Sequence, residues 1–123
     1  MVNLKHHKLV KVCNDHISKL STNKFLIAYS GGIDSSVLID CLSKLSHIIP
    51  IKVRSVHINH GLSEEATLFE NHCSKICKEY GIKHITEKLN LKFISNIEEQ
   101  CRKARYEKLC ENCEDDEIIV TAH

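Results

Sequence analysis

The chain has 123 residues, 42% of them hydrophobic and 27% charged, the profile of one soluble domain with its own core, which excludes collagen-like or disordered character. The formal net charge is only +1, so any contact with nucleic acid has to come from a local patch rather than from bulk charge. No run approaches the ~18 apolar residues of a membrane span, and Met1 to His7 has no apolar signal core, so a cytoplasmic protein with no membrane association is expected.

Leu9, Val10, Cys13, Ile17 and Leu20 recur at helical spacing, which predicts an N-terminal helix over about Leu4 to Leu20, within segment 1–22. Phe25 to Tyr29 is a continuous apolar run, as suits a strand buried on both faces. After Ser30-Gly31-Gly32, the residues Val37, Leu38, Cys41, Leu42 and Leu45 mark a helix that begins near Asp34. Ile51 to Ile58 is rich in β-branched residues and reads as a second strand, and Asn59-His60-Gly61 as a turn. Ser63 is placed to cap a helix whose stripe is Ala66, Phe69, Cys73, Ile76, Cys77 and Tyr80, with Gly81 as its left-handed stop. A third strand runs from His84 to about Leu89. Ser95-Asn96-Ile97-Glu98 has the form of a capping box and opens a helix to about Cys110. Glu117 to Thr121 is a fourth strand.

This alternation requires crossover connections. It predicts an α/β fold, a parallel twisted sheet with helices on both faces, in a single domain over 1–123. Ligands of such sheets bind beyond the carboxyl ends of the strands. The seven cysteines are an odd number, several inside helix-patterned segments. That usage suits reduced thiols rather than a disulfide framework.

The sharpest local signal is Ser30-Gly31-Gly32-Ile33-Asp34-Ser35. Two glycines permit a tight turn and close approach of backbone to ligand. Feeding directly into a helix, such a turn aims amides and the positive end of the dipole at a phosphate. Ser30 and Ser35 add hydroxyl donors. Asp34 beside an anion site makes sense either as the helix cap or as a Mg²⁺ ligand, since the ion neutralises carboxylate and phosphate together. The Walker A pattern and Gly-x-Gly-x-x-Gly are both absent.

Ser30 to Ser35 resembles the PP-loop of the ATP pyrophosphatases, which cleave ATP between the α- and β-phosphates. His57-Ile58-Asn59-His60-Gly61-Leu62 is similar to the second-strand motif of the tRNA(Ile)-lysidine synthetase family. Glu98 to Tyr106 resembles that family's Glu-x-x-Ala-Arg-x-x-Arg-Tyr helix, with Cys101 where Ala is usual. The resemblance extends over essentially the whole chain from about Phe25. It implies a Rossmann-like adenine nucleotide alpha hydrolase (PP-loop) fold, here truncated after the fourth strand. In the family, the strand ending at Val120-Thr121-Ala122-His123 leads on to Asp-Asp-x-x-Glu-Thr, the rest of the catalytic domain and C-terminal tRNA-binding domains. The chain is therefore expected to be an N-terminal part that does not make lysidine by itself.

The activity implied is that of a tRNA-modifying ligase. ATP adenylates the wobble cytidine of tRNA(Ile), and lysine then displaces AMP to form lysidine. ATP and Mg²⁺ are the implied cofactors; the anticodon loop of tRNA(Ile) and free L-lysine are the implied partners. Ser30, Gly31, Gly32, Ile33, Asp34 and Ser35 fall on the ATP-binding motif, with Asp34 on Mg²⁺ and Asp34 and Arg105 catalytic. Asn59, His60 and Arg102 fall on the substrate or nucleotide side. A tRNA thiolase using Cys110 and Cys113, or an ATP-binding fragment without turnover, are the alternatives.

The residues themselves leave some of these roles open. His57 and His60 lie three apart on an extended strand and face opposite sides, so a shared metal is poorly supported. Arg102 and Arg105 share a helix face with Glu98. Ion pairing explains that pattern, and so does a bidentate grip on phosphate, for which arginine is better suited than lysine.

Overall fold

The computed structural model describes residues 22–59, 61, 65–89 and 97–122. The expected N-terminal helix, the Ser63 cap, the Ser95 capping box and His60 lie outside them. Four strands and three helices alternate: β1 (Lys24–Ala28), α1 (Ile33–Ser46), β2 (Lys52–Asn59), α2 (Glu65–Tyr80), β3 (Lys83–Lys88), α3 (Ile97–Asn112) and β4 (Glu117–Val120). Each strand falls within a residue or two of its expected place. Asn59 ends β2 rather than beginning a turn, and α3 runs two residues past Cys110.

The four strands form one sheet in the order β3-β2-β1-β4, every pairing parallel. The chain steps outward from β1 through β2 to β3, then returns across the sheet to β4 on the other side of β1. Right-handed crossovers then send the first two helices to one face and the third to the other. The packing agrees. Ile27 and Tyr29 meet Ile39, Leu42 and Leu45 of α1 and Cys73 and Cys77 of α2 on one face. Leu26 and Val56 meet Leu109 of α3 on the opposite face. The expected sheet covered on both sides is thus the observed one.

Strand β1 is central, and Phe25, Leu26 and Ile27 are fully buried; each contributes about 1.5–3 kcal/mol by leaving water. Gly81 closes α2 as expected, with φ +71°. Its N–H reaches Lys78 O at 3.2 Å and that of Ile82 reaches Cys77 O at 2.9 Å, the paired bonds of a Schellman motif.

On the α3 face, β2 and β4 are joined across β1 by a charge pair. Arg54 Nε donates to Glu117 Oε2 at 2.8 Å, and Arg54 Nη2 donates to Asn112 O at 2.9 Å and to Glu117 Oε1. The Glu114 amide adds a third donor to the carboxylate, at 3.1 Å. Burial pushes the Glu117 carboxyl up, but the Arg54 hydrogen bonds, the Glu114 amide and the guanidinium charge together hold it below its ordinary value. Removing Arg54 leaves the Glu117 charge uncompensated at a side chain only 2% exposed. Arg54→Met is expected to destabilise the fold by about 3–5 kcal/mol in chemical denaturation. Because the folded carboxyl titrates below 4.5, the pair's contribution is complete above that pH and drains away as pH falls through the folded value. The acid limb of the stability profile should therefore flatten in Arg54→Met.

Candidate functional site

The carboxyl edge of the sheet carries the site. β1 passes through Tyr29 and Ser30 into a two-glycine turn, and α1 starts at once with Gly32 as its N-cap. Gly31 has φ +89°, a conformation that a residue with a Cβ adopts only under strain. A Cβ at Gly31 would also lie 3.0 Å from Phe69 Cδ1 and 3.2 Å from Cys73 Sγ, so α2 presses directly on the turn. Gly32, by contrast, has ordinary backbone angles and more room, with Ser30 Oγ at 3.4 Å from an added Cβ.

No side chain caps α1. The first helical bond runs from Ser36 N–H to Gly32 O at 3.0 Å, which leaves the amides of residues 33–35 as unsatisfied donors at the positive end of the helix. Asp34 is exposed and sits in the first turn of the helix, not at its cap. Of the two roles open to it, capping is therefore removed. Ile33 is 84% exposed, so it enters the motif through its backbone. Ser35 is buried, and its hydroxyl bonds Ser30 Oγ at 2.9 Å and Gly32 O at 3.2 Å. Gly32 N–H also turns onto Ser30 Oγ, at 3.2 Å. The two serines thus brace the turn from within, and Ser30 remains exposed at its lip.

Beside Ser30 opens a cavity of about 280 Å³. Its floor is Ala28, Tyr29 and Val56 to Asn59; Ala66 and Phe69 of α2 form one wall, and Arg105, Tyr106 and Leu109 of α3 the other, with Thr121 after β4. The structure therefore brings Arg105 to the same edge as the loop, a placement that helix order alone left undecided. Arg102, one turn earlier, is exposed and not among the lining residues. Asn59 reaches the cavity, but its amide is engaged at both ends. Nδ2 donates to Glu70 Oε2 at 2.7 Å, and Oδ1 accepts from Gly61 N–H at 2.8 Å.

Sequence reasoning did not single out Tyr106 or Phe69 as cavity residues, and it left His57 open between a polar strand end and a nucleotide-side role; all three line the cavity. By spacing Phe69 belongs to the core stripe of α2, and nothing at single-residue level marks an aromatic that stops short of the core, as Phe69 does at 46% exposed. Beneath α2 runs a polar seam that periodicity also hid. His84 Nδ1 meets Ser55 Oγ at 3.0 Å, and burial, then the nearness of His57, lowers its pKa. Cys73 is pushed up to about 12 by burial and the neighbouring Cys77, so it stays a thiol at neutral pH and is no nucleophile. Cys113 donates to Glu117 O at 3.2 Å. Among the described residues, no group of three or more His, Cys, Asp or Glu is placed to hold a metal ion.

The two glycines should respond differently to substitution. Gly31→Ala meets both backbone strain and overlap with α2, and is expected to cost about 2–3 kcal/mol in chemical denaturation. Gly32→Ala should cost less than about 1 kcal/mol. Equal costs would mean that the positive φ of Gly31 is not a requirement of the turn.

The profile of the PP-loop domain matches residues 3–123. A tRNA(Ile)-lysidine synthase of Buchnera aphidicola is 43% identical over 114 residues, covering 92% of this chain and 25% of the relative. One of Haemophilus influenzae is 39% identical over 111 residues, covering 87% and 26%. The chain thus spans about a quarter of the length of these curated relatives. The U34-tRNA thiolase NcsA of Methanococcus maripaludis, solved with its iron–sulfur cluster, shares the fold, with a TM-score of 0.75 at 22% identity over 96% of this chain and 45% of that one. With the uncapped two-glycine turn where β1 meets α1, and the profile spanning nearly every residue, the chain belongs to the PP-loop domain family.

Proposed function

We propose that this chain is the ATP-binding part of a tRNA(Ile)-lysidine synthetase. The observation that carries the reading is the junction of the open α1 N-terminus with the cavity that holds Arg105. A triphosphate laid on the turn meets the amides of residues 33–35, and the nucleoside extends from Ser30 into the cavity. The curated relatives bear the name of that enzyme over this same stretch.

The residues divide the work by chemistry. Oriented amides stabilise negative charge as pyrophosphate becomes a leaving group, without reorganising at the moment of reaction. Ser30 adds a hydroxyl at the lip of the turn. Asp34 is a lone exposed carboxylate in a helix turn that otherwise attracts anions. That donor set fits a Mg²⁺ ion whose other ligands are phosphate oxygens and water, the usual arrangement for this ion. When bound, the ion supplies charge neutralisation across the phosphates. Arg105, on the cavity wall, has the planar fork suited to a bidentate grip on phosphate, which lysine cannot reproduce.

In the complete reaction, the cytidine of the tRNA(Ile) anticodon loop is activated by adenylation, and the amine of free L-lysine displaces AMP. An unpaired loop offers its base at low cost. His60 and Arg102 retain a substrate-side role in this proposal, Arg102 from its exposed position on α3. Thiolase chemistry gains nothing from the geometry, because Cys113 is tied to the β4 backbone and the described residues supply no metal-binding group.

Calorimetry with MgATP on the chain tests the reading. Asp34→Ala should weaken MgATP about tenfold while scarcely changing binding of ATP without the metal, a difference of about 1.4 kcal/mol. Arg105→Lys should weaken ATP by a similar factor at unchanged melting temperature. MgATP affinities equal to the parent in both variants would overturn these roles.

A further inference from the structure

We infer that His57 is a positioning residue for the phosphate-binding turn, acting through the carbonyl of Tyr29. This rests on the nucleotide reading above and names a residue which that reading leaves unused. His57 is 6% exposed, at the carboxyl end of β2. The last main-chain bond between β2 and the segment after β1 runs from Tyr29 N–H to Val56 O at 2.9 Å. One position on, a side chain takes over, and His57 Nδ1 lies 2.8 Å from Tyr29 O. A carbonyl can only accept, so Nδ1 carries a proton.

Tyr29 is thereby held at three points: its amide by Val56, its carbonyl by His57, and its hydroxyl by Ser36 Oγ at 3.1 Å. Ser30, the first residue of the turn, follows directly. The next residue, Gly31, rests on Phe69 and Cys73, and Cys73 Sγ lies 3.6 Å from the same imidazole nitrogen. β2 and α2 thus meet under the turn at His57. Rotating the Tyr29 carbonyl would swing the peptide that leads into Ser30 and displace the amides that face the phosphates. A rigid underside is what a preorganised anion site requires.

Two measurements decide the matter. Long-range ¹H–¹⁵N spectra of the unliganded chain at about pH 8, above the ordinary imidazole range, should show His57 as the Nδ1–H tautomer. An Nε2–H tautomer overturns the inference even if every variant misfolds. MgATP affinity is then compared in His57→Asn, whose amide nitrogen falls near the place of Nδ1, and His57→Gln, whose amide falls near that of Nε2. Asparagine should keep affinity within about threefold of the parent, and glutamine should lose tenfold or more. Equal affinities in the two variants, high or low, overturn the inference. If the parent chain itself shows no MgATP affinity, the nucleotide reading fails, while the tautomer still reports whether His57 holds the turn.

Discussion

Strand β1 carries the greatest constraint in the molecule. It is paired on both edges and covered on both faces, so Phe25, Leu26 and Ile27 have no solvent-facing direction. An apolar strand in that position has to lie in the middle of the sheet, and the chain has to pass to either side of it. The reversal between β3 and β4 meets that demand. It also separates the crossovers onto opposite faces and opens a cleft at the carboxyl end of β1. The site is therefore a consequence of how β1 is buried.

The turn after β1 concentrates three conflicting requirements. It needs a positive φ, because the strand must end and the helix begin within a few residues. It needs close approach to α2, which leaves no space for a side chain at Gly31. It also needs unsatisfied amides at the helix start, because those are the anion donors. The absence of a side-chain cap on α1 is the expression of the last requirement. Capping would stabilise the helix in isolation and occupy the donors that a phosphate would use. Local stability and ligand binding compete here, and the serines that brace the turn from within offset part of the cost.

Polar groups elsewhere are placed to be satisfied and not to react. The Arg54–Glu117 pair joins the strands on either side of β1, and its extra partners, the Glu114 amide as donor to the carboxylate and the Asn112 carbonyl as acceptor from the guanidinium, account for its tolerance of burial. The seam of Ser55, His57, Asn59 and His84 lies under α2, where an apolar interface would be the simpler solution. Its members are hydrogen-bonded to one another, to backbone or to α2. Asn59 shows the distinction well: it reaches the cavity, yet its amide serves the turn at Gly61 and the carboxylate of Glu70. Cys41, Cys73 and Cys77 fill the core as small, soft groups, and burial raises the pKa of Cys73 and keeps it a thiol.

The sequence alone determined the alternation of strands and helices, the parallel sheet and the position of the phosphate-binding turn. Those features are local: apolar runs, helical stripes, and two glycines between a strand and a helix each depend on residues close in the chain. Residue type also suggested the choice of Arg105, but helix order could not place it at the binding edge. Strand order, the side taken by each helix and the walls of the cavity were decided only by the tertiary structure. They depend on which segments far apart in sequence become neighbours. For Asp34, residue type allowed a helix cap beside the expected Mg²⁺ ligand until the observed start of α1, with Gly32 as N-cap, removed the capping role. His57 stayed open between a polar strand end and a nucleotide-side role because its partner, a backbone carbonyl 28 residues away, carries no sequence signal. Every backbone carbonyl is alike in sequence, and only folding decides which one a side chain meets.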